Sequence, residues 1–192
     1  MKWIIGIDEV GRGPLAGPVT VCAVAMTVPL YKKRHWPKLT DSKKLSIKNR
    51  EHWYRMAKQY EKSGDIKIAI ASRSAVQIDR KGISACIRDC ISSALKKLDI
   101  DPSVTRVLLD GGLRAPVQYV DQQTIIRGDQ FEQIISMASV IAKVTRDGYM
   151  TKMHQQYPGY GWDHNKGYGT KQHLSAIKKL AMTTLHRKTF IS

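Results

Sequence analysis

The sequence contains no long hydrophobic run, because every apolar segment is short and is followed by charged residues or glycine. A membrane-spanning helix needs about 18 to 20 consecutive apolar residues, so we expect no contact with a membrane. The first apolar segment runs directly into Asp8 and Glu9 with no cleavage site of small residues, which argues against a signal peptide. A length of 192 residues is typical of one compact domain.

Cysteine is also scarce, since the chain contains only Cys22, Cys86 and Cys90. Three cysteines cannot all pair within one chain. Cys86 and Cys90 alternate with isoleucines at helical spacing, which is typical of buried thiols. No cysteine or histidine has the spacing of a zinc site. The pattern predicts a reduced, cytoplasmic compartment.

Acidic residues are outnumbered two to one: 16 Asp and Glu stand against 32 Lys and Arg, which gives a net charge of +16. The excess lies in two blocks. Residues 31–62 contain 11 basic and 3 acidic side chains, and residues 143–192 contain 9 basic and 2 acidic ones. Two basic blocks around a nearly neutral centre favour a polyanion bound at two places, with nucleic acid as the first candidate. An acidic membrane, a ribosome or a merely basic surface would suit the same composition.

Short apolar, β-branched runs predict strands at residues 3–9 and 18–27, alternation predicts one at 66–71, and further strands are expected at 107–109 and about 117–126. Helical periodicity predicts helices at 46–62, 82–98, 131–149 and about 170–180. We therefore expect an α/β fold with a mixed sheet flanked by helices. Residues 1–157 would form the main domain, and residues 158–192 a small helical C-terminal lobe packed on it.

Four acids stand where apolar strands end or helices begin, and they are Asp8, Glu9, Asp110 and Asp129. Ionised groups belong in water unless a partner compensates for their burial. One explanation for all four is that they converge on Mg²⁺ or Mn²⁺, which prefer hard oxygen ligands. Two such ions can activate a water and stabilise the leaving oxygen of a phosphodiester.

Each acid also has a simpler interpretation. Asp129 could cap the following helix, and Asp110 could begin a turn. Asp8 and Glu9 present a geometric difficulty, because adjacent side chains of a strand point to opposite faces. Either the strand bends at Val10 and Gly11, which we favour, or Glu9 contributes differently from Asp8.

Seven sequence blocks, in order from residue 6 to residue 190, resemble the ribonuclease HII family. The blocks are GIDEVGRGPLAGPV (6–19), DSKKL (41–45), LDG (109–111), RGD (127–129), ASVIAKVTRD (138–147), HNKGYGTK (164–171) and LHRKTF (185–190). Departures are small: Arg127 stands where lysine is common, and Thr189 where serine is common. The resemblance is to the prokaryotic single-chain form, with no partner-binding extension expected.

The resemblance implies a ribonuclease H-like fold and a metal-dependent endonuclease. The substrates would be RNA–DNA hybrids and DNA that contains single ribonucleotides, cut on the 5′ side of the ribonucleotide to leave 3′-hydroxyl and 5′-phosphate ends. Asp8, Glu9, Asp110 and Asp129 would be catalytic metal ligands. The loop Gly11-Arg12-Gly13 and Tyr168 would sense the 2′-hydroxyl, the group that distinguishes RNA from DNA.

Further residues are expected to hold the substrate. Ser42, Lys43, Ser139, Lys143 and Arg146 would contact phosphates without reading sequence, and Lys166 belongs to the same substrate-binding set. Ordinary capping and surface charge remain the alternatives, notably for Ser139 and Arg146. His164, His173 and His186 are expected to contact phosphate or solvent.

Two other functions stay open. A non-catalytic protein of the same fold could bind hybrids without cutting them. The related HIII-type enzyme prefers longer RNA tracts and typically carries an extra N-terminal domain, whereas only seven residues precede Asp8 here. We expect a monomer.

Overall fold

The computed structural model describes residues 2–33 and 45–191, and it confirms a mixed sheet flanked by helices. The strands are β1 (Trp3–Val10), β2 (Val19–Thr27), β3 (Ile66–Arg73), β4 (Thr105–Asp110) and β5 (Gln122–Ile125). Their order in the sheet is β3-β2-β1-β4-β5. β2 is antiparallel to both β1 and β3, whereas β4 is parallel to both β1 and β5. The carboxyl ends of β1 and β4 therefore meet at one edge of the sheet.

Helices cover both faces of this sheet. They are α1 (Val28–Lys32), α2 (Ile47–Ser63), α3 (Ala75–Lys81), α4 (Ile83–Leu98), α5 (Gly128–Phe131), α6 (Gln133–Gln156), α7 (Trp162–Asn165) and α8 (Lys171–Leu180). Short 3-10 turns occur at Pro102–Val104, Pro158–Tyr160 and Lys188–Phe190. α4 packs on β2 and β3, and α6 packs on β1 and β2. Across the described parts of the chain, none of these helices combines the length and apolarity needed to cross a bilayer.

Alternation along β1 distributes its side chains between two cores. Ile5 and Ile7 are buried in the core that contains α4, and Ile4 is buried in the core that contains α6. Gly6 shares the face of Ile4, and a Cβ at Gly6 would lie 2.5 Å from the backbone of Ile134 in α6. Glycine therefore allows α6 to cross β1 at very close range.

The helix expected at 82–98 is present as α4, but a separate helix, α3, precedes it. Ser74 and Gln77 form a capping box at the start of α3, in which each side chain accepts a hydrogen bond from the backbone N–H of the other. Gly82 then adopts a φ of +80°, which ends α3 and changes the chain direction before α4. The sequence analysis missed α3 because seven residues are too few for a clear helical period.

A strand is present within the range predicted at about 117–126, but the predicted start is wrong, because β5 contains only Gln122–Ile125. The side chain of Gln122 binds the backbone N–H and carbonyl of Ala115 and the carbonyl of Tyr119, so residues 115–122 close into a loop. Val117 and Val120 are 92% and 89% exposed. These apolar residues therefore do not mark a strand that faces the core.

The C-terminal part of the chain forms a third, smaller core. Tyr160 and Trp162 stack with ring centroids 5.0 Å apart and are buried with Ala16 and Met150. α8 is present as expected, and Thr170 caps it by accepting a hydrogen bond from the N–H of His173. The separation into a domain at 1–157 and a lobe at 158–192 stays a prediction.

Candidate active site

Asp8 lies near the carboxyl end of β1 on the face that α6 covers. It is only 5% exposed. The backbone N–H of Glu9 donates to its Oδ1 at 2.7 Å, and Ser139 of α6 hydrogen-bonds the carboxylate. Burial raises the pKa of Asp8 well above its usual range despite the hydrogen bond from Ser139, and the charges of Glu9 and Asp110 raise it further.

Glu9 reaches the same end of β1 from the opposite face. β1 stays regularly paired with β2 through Val10, and the backbone leaves the extended region at Gly11, whose φ is +87°. A side-chain oxygen of Glu9 lies 3.1 Å from the guanidinium of Arg12. Burial raises the pKa of Glu9, and the charge of Arg12 opposes this shift. The chain thus turns at Gly11, and Glu9 also differs from Asp8 because it has its own partner, Arg12.

Asp110 is the last residue of β4, which runs parallel to β1. Its Oδ1 is buried and has no hydrogen-bond partner among the described residues. A buried carboxylate oxygen without a donor is costly, and a bound cation is a common compensation. The geometry therefore favours a positive charge in front of this oxygen.

Asp129 lies in the first turn of α5 and is 1% exposed. Ser136 of α6 donates a hydrogen bond to its backbone carbonyl. The preceding residue, Gly128, packs against Asp110 so closely that a Cβ at Gly128 would lie 3.4 Å from the Asp110 Oδ1. The start of α5 is therefore next to the end of β4, as convergence of the four acids requires.

A cavity of about 400 Å³, called here the main cavity, opens at this edge of the sheet. It is lined by Asp8, Glu9, Val10, Gly11, Arg12, Gly13, Arg50, Asp110, Ser139, Lys143 and Tyr168. Nine of these residues belong to the sequence-predicted site. Asp129 lies outside this lining. Arg50 was missed, because its position in the basic block of residues 31–62 was its only signal in the sequence.

The expected phosphate contacts fall into separate groups. Ser139 and Lys143 line the main cavity, and the Nζ of Lys143 lies 3.0 Å from Asp147. Lys166 lies in a neighbouring cavity of about 340 Å³ that Arg50 and Lys143 also line. Ser42 and Lys43 lie outside the described residues, so their role stays a prediction.

Arg146 differs from its expected place as a phosphate contact. It is fully buried, and its guanidinium donates to the backbone carbonyls of Pro18, Ala16 and Lys166 at 2.9–3.0 Å. These carbonyls occupy the donors that a phosphate would need. Arg146 therefore supports residues 11–18, named here the glycine loop, from behind. A Cβ at Gly11 would lie 2.3 Å from the Arg146 side chain.

Arg187 supports the same loop and was not singled out from the sequence. It is also fully buried, and it donates to the carbonyls of Gly17, Arg12 and Gly11 at 3.0, 2.9 and 2.6 Å. The backbone N–H of Arg187 donates to Leu15. Two buried arginines thus fix the loop that lines the main cavity. The only sequence signal was the position of Arg187 in the block LHRKTF.

A protein-family model described as Ribonuclease HII matches residues 5–192, which include every residue of the main cavity. The chain belongs to the ribonuclease HII family. It is a metal-dependent ribonuclease and therefore a hydrolase.

Curated ribonuclease HII proteins from bacteria are similar over nearly the whole chain. The protein from Coxiella burnetii is 43% identical over 187 residues, which cover 97% of this chain and 87% of that protein. The protein from Pelagibacter ubique is 42% identical over 190 residues, which cover 99% of this chain and 96% of that protein.

Solved structures of more distant relatives show the same fold as this ribonuclease HII. A chain in the PCNA:RNase HII complex from Archaeoglobus fulgidus superposes with a TM-score of 0.77 at 20% identity, covering 98% of this chain and 94% of that one. The ribonuclease H2 of Pyrococcus horikoshii gives 0.72 at 22% identity, covering 97% and 93%. Bst-RNase HIII, solved in complex with Mn²⁺, gives 0.71 at 16% identity, covering 99% and 67%.

The acids of this ribonuclease HII suit a hard divalent cation. They offer only carboxylate oxygens, and the buried Asp110 Oδ1 has no donor among the described residues. Within residues 2–33 and 45–191, however, no three His, Cys, Asp or Glu side chains form a ready-made metal-binding group. The complete ligand set therefore stays a prediction.

Proposed function

We propose that this ribonuclease HII cuts the RNA strand of RNA–DNA hybrids and also cuts on the 5′ side of single ribonucleotides embedded in duplex DNA. The products would have 3′-hydroxyl and 5′-phosphate ends. One observation carries the proposal: the acids Asp8 and Asp110 share a cavity with the glycine loop and Tyr168. The groups suited to cleave a phosphodiester thus lie beside the groups suited to sense a 2′-hydroxyl.

Asp8, Glu9, Asp110 and Asp129 would hold the metal, which we propose to be Mg²⁺ or Mn²⁺. Two bound ions would supply an activated water and charge stabilisation at the leaving oxygen. The protein's own contribution is orientation. Ser139 and the N–H of Glu9 hold the carboxylate of Asp8, and the strand pairing of β1 and β4 holds Asp8 beside Asp110.

The glycine loop would recognise the ribose through its backbone. Gly11 and Gly13 lack side chains that would block approach, and the carbonyls of Gly11 and Arg12 are already bound by Arg187. The backbone of this loop is therefore oriented before substrate binds, which lowers the entropic cost of recognition. Tyr168 is 43% exposed in the same cavity and would pack against the sugar that follows the ribonucleotide.

The duplex would cross the cavity on a basic track. Ser139, Lys143, Arg50 and Lys166 lie along the main cavity and its neighbour, where they would bind phosphates without reading sequence. Ser42 and Lys43 are proposed to extend this track. We further propose a monomer. We also propose a reduced, cytoplasmic compartment, which the three buried, free cysteines support.

A nicking assay tests the function. The substrate is a labelled DNA duplex with one embedded ribonucleotide, incubated with the enzyme in Mg²⁺, in Mn²⁺ and in EDTA. We expect one cut on the 5′ side of the ribonucleotide with either metal and none in EDTA. Stable binding without a cut in both metals would instead identify a non-catalytic hybrid-binding protein.

A further inference from the structure

His173 and His186 form a buried pair behind the segment that carries Tyr168. They are 0% and 1% exposed, and their Nε2 atoms lie 3.2 Å apart. The expectation that these histidines contact phosphate or solvent is therefore wrong. Three histidines in a basic segment look alike in the sequence, but only His164 of the three is exposed.

The hydrogen bonds around the pair are consistent with one arrangement of protons. The backbone N–H of Thr183 donates to the Nδ1 of His186 at 2.9 Å, so the proton of His186 lies on Nε2 and points at His173. The Nε2 of His173 also receives the indole N–H of Trp162 at 3.0 Å. The proton of His173 therefore lies on Nδ1 and is donated to the carbonyl of Tyr168 at 2.9 Å.

This relay connects the segment of His186 with the segment of Tyr168 and the glycine loop, and the latter two line the main cavity. The carbonyl of Tyr168 also accepts from the N–H of Thr170 at 2.8 Å, so two donors fix its peptide plane. The preceding carbonyl, that of Gly167, accepts from Leu15 of the glycine loop at 2.8 Å. At the other end, His186 pairs with Ala16 in an isolated bridge. A change at the pair is thus transmitted to both groups that would sense the ribose.

We propose that His173 and His186 are positioning residues that hold the backbone of Tyr168, and with it the tyrosine ring, in the orientation that senses a single ribonucleotide. The proposal rests on the role given to Tyr168 in the proposed function. The pair itself is buried and contacts no substrate.

The relay works only while both rings are neutral. A proton added to the Nε2 of His173 would face two N–H groups, and one added to the Nδ1 of His186 would face the N–H of Thr183. Burial lowers the pKa of both histidines, and that of His186 falls to about 4, with the charge of His173 acting in the same direction. The pair is therefore neutral at neutral pH.

Within residues 2–33 and 45–191, few titratable groups face the pair. The ring of Tyr160 lies 4.9 Å from His186 and 6.3 Å from His173, and its hydroxyl donates to the carbonyl of Ala181. Arg187 follows His186 in the chain, but its guanidinium is bound by carbonyls of the glycine loop. Any acid-induced change in the relay can thus be assigned to the two histidines.

The test compares two substrates, a duplex with one embedded ribonucleotide and a hybrid with a continuous RNA strand. The measured quantity is the ratio of kcat/KM for the first substrate to that for the second. His173→Phe keeps a ring but removes the donor to Tyr168, so we expect this ratio to fall about fivefold to tenfold. His173→Asn keeps an N–H donor and should retain a ratio close to that of the wild type. His164→Phe, at an exposed histidine, is the matched control.

A double-mutant cycle separates positioning from general damage. In the Tyr168→Ala background, where the ratio is already low, adding His173→Phe should lower it no further. An unchanged ratio in the His173→Phe single variant, or an additive loss in the double variant, would overturn the proposal. Complete lack of cleavage by the wild type would instead refute the proposed function, so the two failures are distinguishable.

The pH profile gives a second measurement if His173→Phe does not fold. In the wild type, the ratio should decline as the pH falls towards the lowered pKa values of the pair, about 4 for His186, because protonation opens the relay. His173→Asn cannot be protonated at this position, so its ratio should change less. Equal acid dependence in the two proteins would contradict the proposal. Effects of pH on metal binding are common to both substrates and cancel in the ratio.

Discussion

The two walls of the main cavity are built in different ways. On the acidic wall, formed by the ends of β1 and β4 with the start of α5 beside them, the sheet itself sets the positions of Asp8 and Asp110 through strand pairing. On the loop wall, formed by residues 11–13 and 168 and supported from behind by residues 183–188, the main supports are side chains that bind backbone carbonyls. Arg146, Arg187 and His173 are the principal examples.

On the acidic wall, the residues that perform the chemistry are therefore not the ones that stabilise the fold. On the loop wall, the same residues contribute to both stability and substrate recognition. A carboxylate at a strand end can change without disturbing the backbone hydrogen bonds that place it. A buried arginine that binds three carbonyls cannot be replaced without disturbing the backbone, because its loss leaves three acceptors without donors. Substitutions on the acidic wall should therefore affect turnover, whereas those on the loop wall should affect folding and substrate choice together.

The largest expected effect is that of Asp110→Asn on the acidic wall. Asparagine keeps the shape but loses the charge that a divalent cation needs. Nicking should fall by more than about 100-fold, the upper range for loss of a residue that only orients a metal ligand. The thermal midpoint should stay close to that of the wild type. Normal turnover by this variant would refute the role of Asp110.

Arg187→Met on the loop wall should have the next largest effect. Methionine fills a similar volume but leaves the carbonyls of Gly11, Arg12 and Gly17 without their donor. The free energy of unfolding should fall by about 3 kcal/mol, measured by urea denaturation. Lys188→Met, at the exposed neighbouring residue, is the control and should change it by less than about 0.5 kcal/mol. Equal stability of the two variants would mean that the loop does not depend on Arg187.

Acid should weaken the loop wall through His186. Its pKa is about 4 in the folded protein but near 6.5 in the unfolded chain, so the unfolded chain binds more protons between these values. The stabilisation is therefore complete above about pH 6.5 and is lost as the pH falls towards 4.

The measurement compares the wild type with His186→Phe at about pH 7.5 and about pH 5. The stability advantage of the wild type should shrink by about 2 kcal/mol between these two conditions. A constant difference would mean that His186 is not held neutral in the folded state.

The smallest effect is expected for Ser136→Ala on the acidic wall. Its hydroxyl donates to the backbone carbonyl of Asp129 and also contacts that of Glu132. Loss of this donor should cost about 1 kcal/mol in a denaturation experiment. Nicking at saturating metal should remain near the wild-type level. A loss of activity as large as that of Asp110→Asn would show that the acidic wall also depends on side-chain support.

The acidic wall was largely predictable from the sequence. Short apolar runs marked β1 and β4, and parallel strands place their carboxyl ends at one edge. The motif blocks then selected Asp8, Glu9, Asp110, Ser139 and Lys143, all of which line the main cavity. The ends of β1 and β4 place the three acids, and the single helix α6 places Ser139 and Lys143 one turn apart.

The loop wall was less predictable because its supports join residues far apart in the chain. Arg146 and Arg187 bind carbonyls more than a hundred residues away, and a sequence shows their charge but not their burial. His173 and His186 presented the same problem. A basic segment suggests phosphate binding, whereas these four side chains bind the protein's own backbone or each other.

Gly6, which lies outside the main cavity, sets the distance between α6 and β1 behind the acidic wall. A methyl group at this position would force the backbone of Ile134 outward, and α6 would rise from the sheet. Ser139 lies five residues further along α6, so its hydroxyl would withdraw from Asp8. The absence of a Cβ at Gly6 therefore sets the distance between α6 and the sheet, and this distance sets the orientation of the Asp8 carboxylate. A substitution at Gly6 would change activity through the helix–sheet separation alone.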